Sequence, residues 1–275
     1  MSKAFAASLL LSASLAIPAV AEPSLGANNV VTVRGGAPQL LIPAAGHVLG
    51  ANGTLFRSEI NIVNYTDRAQ RVQLRWVPQS GGEFPNVTIT INPLSGVGAE
   101  DFVPAIMNIP TGFGAIVVTG VTSADAIDPG ARLFATDRIW TFQPGGDGTV
   151  SQTFDVLQTS DINNVTGNVS ILGLRRDSQY RLNVGVVNLA ATSQVFTITT
   201  SAQDSQTITV PAFSSQQVGV GGAPASASLQ VIVSNVTAGS GRSVQWVAYG
   251  SSVDNITGDS WSEIGYVPAI STTQP

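Results

Sequence analysis

The chain has 275 residues, of which only 11% are charged, with a net charge of −5, a pI near 4.7 and no cysteine. The acidic balance argues against DNA or anionic membrane surfaces as partners, and the missing cysteines exclude disulfides, thiol redox chemistry and Cys-ligated metal. Two domains of ordinary size fit this length, each long enough for its own core.

The N-terminus reads as a secretory signal over residues 1–21. Lys3 precedes an apolar run from Ala4 to Ile17, Pro18 breaks it, and Ala19-Val-Ala21 has the small-x-small pattern of a cleavage site. The run is short for a bilayer span, and no later stretch is apolar enough for one. The mature chain is therefore expected to start at Glu22 and to be exported to the periplasm, cell surface or medium, without a transmembrane segment. Residues 22–38 form a polar arm whose insert Asn29–Val33 is a candidate donated strand, with a plain linker as the alternative.

From Gln39 onward the pattern is β. A short strand is expected at Leu40–Pro43, then Ser58–Asn64 with Ile60 and Ile62 on one face. Arg71–Trp76 follows with Val72, Leu74 and Trp76 on one face. That period of two marks half-buried strands. Val87–Ile91 is a strand bracketed by the loops Gln79–Gly82 and Asn92–Gly96. A helical turn fits 101–110, strands fit Ala115–Val121 and Arg132–Phe142, and Pro144–Gly148 is a hairpin tip leading into Thr149–Val156. In the second half, Leu229–Val233 and Ser243–Tyr249 are apolar enough to run through an interior.

The chain makes its best strand twice. Phe56-Arg-Ser-Glu-Ile-Asn-Ile-Val-Asn64 returns as Tyr180-Arg-Leu-Asn-Val-Gly-Val-Val-Asn188, with Arg57 and Asn64 each 124 residues before Arg181 and Asn188. Thr88–Ile91 matches Thr207–Val210, and Ile116–Thr122 matches Val231–Thr237. His47–Gly50 is set against Ser170–Gly173. The register slips only between strand-like runs, as expected for two homologous β domains with loop insertions. The expected organisation is all-β: two tandem Ig-like antiparallel β-sandwiches at 39–158 and 163–268, followed by a tail at 269–275.

The run Ile42-Pro-Ala-Ala-Gly-His-Val-Leu-Gly-Ala-Asn-Gly-Thr54, the run Leu172–Arg181 with Val186-Val-Asn188, and the closing Val247–Asp259 resemble a family of secreted bacterial proteins built from Ig-like β-sandwich repeats. The resemblance covers most of residues 39–268. It implies an extracytoplasmic sandwich fold used as a surface or scaffold part, and no established activity.

Few residues offer chemistry. His47 is the one histidine, and a catalytic or metal role would require an oriented partner in a cleft. Glu100 and Asp101 are adjacent in a loop, so their side chains are expected to point apart. Asp254-Asn-Ile-Thr-Gly-Asp259 supplies oxygen ligands, so Asp254 and Asp259 are candidate Ca²⁺ ligands; an Asx turn explains them equally. Arg57 and Arg181 are expected to bond carbonyls or a carboxylate, and Asn64 and Asn188 to cap turns. Trp261 and Tyr266 are the candidate binding residues, as an aromatic patch in a loop-like stretch. The expectation is a non-catalytic, cofactor-free structural or adhesive protein of the cell surface or extracellular space. It would meet an extracellular protein or glycan, with self-association open. A carbohydrate- or protein-binding module using loops at one sandwich end is the alternative, and a hydrolase built on His47 or paired carboxylates is a third reading.

Overall fold

The computed structural model describes residues 35–50, 53–79, 81–143, 145–158, 162, 168–222, 225–237 and 244–266. The predicted signal segment, most of the arm, most of the join after 158 and the tail lie outside the described residues. The first half carries β1 (Gln39–Leu49), β2 (Leu55–Asn64), β3 (Gln70–Pro78), β4 (Val87–Ile91), β5 (Ser95–Ala99), α1 (Phe102–Ala105), β6 (Gly112–Val121), β7 (Leu133–Phe142), β8 (Thr149–Phe154) and β9 (Leu157–Gln158). The second half carries β10 (Asn168–Arg176), β11 (Tyr180–Asn188), β12 (Gln194–Thr200), β13 (Ser205–Val210), β14 (Ser214–Gly219), β15 (Ala225–Asn235), β16 (Trp246–Asp254) and β17 (Ser260–Ile264). No described helix is long and apolar enough to cross a membrane.

Both halves are antiparallel β-sandwiches with one topology. The second stacks β10-β15-β12-β13 on β14-β11-β16-β17, and the first repeats this as β1-β6-β3-β4 on β5-β2-β7-β8. In the first, β1 bends at a bulge between Ile42 and Ala45, pairs β6 along most of its length, and ends paired with β2, so it ties the two layers together. With strands counted in chain order, second beside fifth and third beside sixth is the neighbour pattern of immunoglobulin sandwiches. Here the first strand joins the sixth and the seventh joins the second.

Alternation explains the layers. In β2, Ser58, Ile60, Ile62 and Asn64 are buried while Glu59, Asn61 and Val63 face outward. Ile60, Ile62, Leu74, Trp76, Ile116 and Leu133 join one core, and α1 closes an end of it with Phe102 and Val103. The second core centres on Phe196 and Trp246, whose rings lie 5.0 Å apart. The chain before β1 is held too, through a bridge from Ala37 to Leu133 and a bond from Gln158 Nε2 to the Gly35 carbonyl.

Two expectations need correction. Asn92–Gly96 was to be loop, yet β5 begins at Ser95 and pairs β2 from Ile60↔Ala99 to Asn64↔Ser95. Its Ser-Gly-Val-Gly-Ala sequence has no strand signature. Gly98 is required by geometry, because a Cβ there would collide with the Asn61 side chain. Second, the matched start of the repeats is displaced. Leu40 and Ile42 pair Val118 and Ile116, while Val169 and Ile171 pair Val233 and Val231, with the bulge following in both strands. Ile42 is thus the counterpart of Ile171, which puts His47 opposite Arg176 rather than Ser170.

The repeated asparagines do the same work twice. Asn64 Nδ2 donates to the carbonyls of Arg68 (2.7 Å) and Asn92 (3.1 Å), and its Oδ1 accepts from the Thr66 N–H. Asn188 Nδ2 donates to Thr192 (2.9 Å), Val210 (3.1 Å) and Pro211 (2.8 Å), and its Oδ1 accepts from Ala190 N–H. Each side chain is fully buried and satisfies carbonyls at two chain turns that no strand partner reaches.

Candidate functional site

The two sandwiches share a third core. Leu41, Val77, Ala115 and Phe154 of the first meet Val187, Val247 and Tyr249 of the second. This explains why β16 is buried at every position. Trp246 and Ala248 face the second core, while Val247 and Tyr249 face the first sandwich. Tyr249 packs edge-on against Phe154, with centroids 5.3 Å apart, and lies across Gly185, where any Cβ would strike its ring. Polar contacts reinforce the seam: Ser214 Oγ donates to the Pro78 carbonyl (2.8 Å), Ser262 Oγ to the Thr153 carbonyl (2.6 Å), and the Arg75 guanidinium sits 4.1 Å from the Phe213 ring centre.

At one side the seam opens into a cleft of about 350 Å³. The ends of β1 and β2 and strands β7 and β8 form one wall; β11, β14, β16 and β17 form the other. Phe56, Phe113 and Gln152 line the first wall, Asn183, Gln217 and Ser251 the second, and Arg181 is the only charged residue among the described lining residues. Ser251 Oγ donates to Gln152 Oε1 at 2.9 Å, while Gln152 Nε2 is buried with no partner.

Behind the cleft lies Asp137. It follows Leu133 and Ala135 and precedes Ile139 on the inward face of β7, and it is 1% exposed. No hydrogen bond of normal geometry reaches either carboxyl oxygen from the described residues. Burial pushes its pKa well above the usual carboxylate range, with only the Arg138 backbone N–H pulling the other way. Burial therefore favours its protonated form over the carboxylate. Tyr249 is also held protonated, by burial first and by Asp137 second, and its hydroxyl donates to Gln217 Oε1 at 3.2 Å.

The residues singled out from sequence fall elsewhere. His47 Nδ1 lies 2.8 Å from Asp101, and Arg57 Nε is 3.6 Å from the same carboxylate, its guanidinium stacked over Trp140 and Phe142. His47 thus has an oriented acid partner, and among the described residues no hydroxyl hydrogen-bonds its Nε2. Trp140 Nε1 bonds the Glu100 carbonyl. Asp254 is 6% exposed and its Oδ1 accepts from the N–H groups of Ile256 (2.7 Å) and Thr257 (3.1 Å). These bonds hold its pKa below the usual range. Asp259 sits past the turn, where its Oδ1 accepts from the Ser260 N–H. The loop is an Asx turn, and among the described residues no acidic or histidine cluster could hold a metal. Trp261 lies in β17, with Nε1 bonded to the Gly173 carbonyl and its ring edge-on to Tyr180 at 5.6 Å. Tyr266 is half exposed and its backbone pairs with Ser170. The two do not form one patch by ring contact.

Sequence reasoning missed the seam and Asp137. One signal was available, since strand parity places Asp137 on the inward face between Ala135 and Ile139. The seam left a fainter trace in the doubly apolar strand Trp246–Tyr249. Compared with protein-family models, curated proteins and solved structures, the chain matches none.

Proposed function

We propose that this chain is an exported, non-catalytic structural or adhesive part of the bacterial cell surface or extracellular space. The observation that supports this most is the third core. A seam of Leu41, Val77, Phe154, Val247 and Tyr249 joins two like sandwiches into one body, which suits a part that holds or displays rather than one that opens and closes. The N-terminal signal pattern and the resemblance to secreted Ig-like repeat proteins support export. Cell fractionation of the native organism, intact mass of the mature chain and cross-linking on intact cells test the reading. The expected result is a chain beginning at Glu22, in the envelope or medium, cross-linked to a surface component. Recovery from the cytosol with Lys3 retained would refute it.

A second reading is a carbohydrate- or protein-binding module. The cleft between the sandwiches favours it, in place of the loop end at Trp261 and Tyr266, because the cleft gathers polar and aromatic side chains in one concavity. Binding of any small molecule that competes with cross-linking would support it.

A further inference from the structure

From the cleft between the sandwiches we infer a binding site for a small acidic carbohydrate, one or two sugar rings carrying a carboxylate. The inference takes up the binding reading of the cleft and is independent of whether the chain is a surface scaffold.

Its wall is built for hydroxyls. Gln152, Asn183 and Gln217 present carboxamides, and Ser251 a hydroxyl; each such group both donates and accepts, as sugar hydroxyls do. Gln152 Oε1 accepts from Ser251 Oγ at 2.9 Å, which ties the two walls together at this point of the cleft. Phe56 and Phe113 are half-buried in the first sandwich's wall, across from Asn183, Gln217 and Ser251, and offer apolar surface to the C–H side of a pyranose. The volume of about 350 Å³ is at the small end of ligand pockets, which fits a mono- or disaccharide and not a polymer lying in a groove.

The charge follows from the repeat. Arg57 and Arg181 are counterparts, each facing the seventh strand of its own sandwich, as Arg57↔Trp140 and Arg181↔Val253 show. Arg57 has its carboxylate in Asp101. Arg181 has none among the described residues: its Nη1 donates only to the Asn255 amide oxygen, at 3.0 Å. Among the described residues no carboxylate lines the cleft. Asp254 spends its oxygens on the turn N–H groups and the Gln179 amide, and Asp137 is 1% exposed and not among the lining residues. A ligand carboxylate therefore meets an exposed cation with no competing acid in the wall, in a setting that excludes part of the solvent.

The test is calorimetric titration of the full mature chain with D-galacturonate and D-glucuronate, against galactose, glucose and acetate. Each uronate is expected to bind about tenfold or more tightly than its neutral counterpart, and more tightly than acetate. Arg181→Gln should remove the preference for the acid while leaving the melting temperature unchanged, and Arg132→Gln, outside the cleft, should leave it intact. Asn183→Ala should weaken acidic and neutral sugars alike. No binding of either uronate at about 10 mM overturns the proposal. Equal binding of acetate overturns the sugar assignment, and a preference that survives Arg181→Gln overturns the placement of the carboxylate.

Discussion

Asp137→Asn changes one atom type in the interior and removes one titration. Because burial raises the folded-state pKa of Asp137, the folded chain keeps a proton that the unfolded chain releases near the ordinary value of 3.8. Between that pH and the raised folded value the native state binds more protons than the unfolded state, so stability must fall as pH rises. Below the unfolded pKa both states are protonated and the penalty is absent. Above the folded pKa it is constant. In the window between, the slope approaches about 1.4 kcal/mol per pH unit, which for a chain of this size is roughly 3–5 °C in melting temperature per unit. The assay is calorimetric melting of wild type and Asp137→Asn at a series of pH values from 4.5 upward, read as the difference between the two proteins. Subtraction cancels Asp128, Asp177 and Asp254, whose lowered pKa values act with the opposite sign and at lower pH. The wild type should lose ground steadily against the variant as pH rises. Asp137→Val, which removes the unpartnered oxygens altogether, should stabilise by about 1–3 kcal/mol at neutral pH. A difference flat across the pH range, or destabilisation by valine at pH 7.5, would show that Asp137 is ionised and solvated, and would refute the reasoning.

Asn188→Ala should cost about 2–4 kcal/mol in urea unfolding, because three carbonyls and one N–H lose their partner in a buried turn; Asn64→Ala should cost a similar amount. Tyr249→Ala should cost about 3–5 kcal/mol and, by hollowing the shared core, split a single melting transition into two. Separate halves 22–160 and 163–275 are expected to fold, bind a hydrophobic dye through the bared Leu41–Val77 and Val247–Tyr249 surfaces, and associate when mixed; failure of both to fold would mean that the seam is needed for either core. Chelator should leave the melting temperature unchanged, while Asp254→Ala should lower it through loss of the turn bonds to Ile256 and Thr257; a drop on chelation reversed by Ca²⁺ would identify a metal loop instead.

How far the sequence reached depended on side-chain parity. β2 and β3 were legible because buried residues alternate with outward ones, a period that one sheet face imposes; β16, buried at every position, has no such period, and its strand was expected at Ser243–Tyr249 where it runs from Trp246 to Asp254. β5 was illegible because Gly96 and Gly98 have no side chains to show a period, and its pairing is set by the close approach of Asn61. The first strands of the repeats were matched out of register because the second repeat reaches its next strand sooner, Ile171 to Arg181 being 10 residues where Ile42 to Arg57 is 15, and the likeness of His47–Gly50 to Ser170–Gly173 hid that difference. Arg57 and Arg181 were visible as a pair, but their difference was not. Only distance in space shows that Asp101 reaches Arg57 and that no acid reaches Arg181. The turn role of Asn64 and Asn188 followed from chemistry alone, since a short amide closing a β run has few other uses.

The sheet face that glues the second sandwich to the first exists in the first as well, and there it is finished differently. Where the second places Asn183, Gly185, Tyr249 and Ser251 against its neighbour, the first presents Glu59, Asn61, Thr136 and Arg138 at matching register, with Arg138 paired to Glu59. Docking another sandwich there would strip water from that ion pair, a cost that a Tyr–Gly face does not carry. The array therefore has a terminator written into one strand pair. Exchanging Glu59, Asn61, Thr136 and Arg138 for their counterparts would convert a closed two-unit object into a link able to add further units end to end.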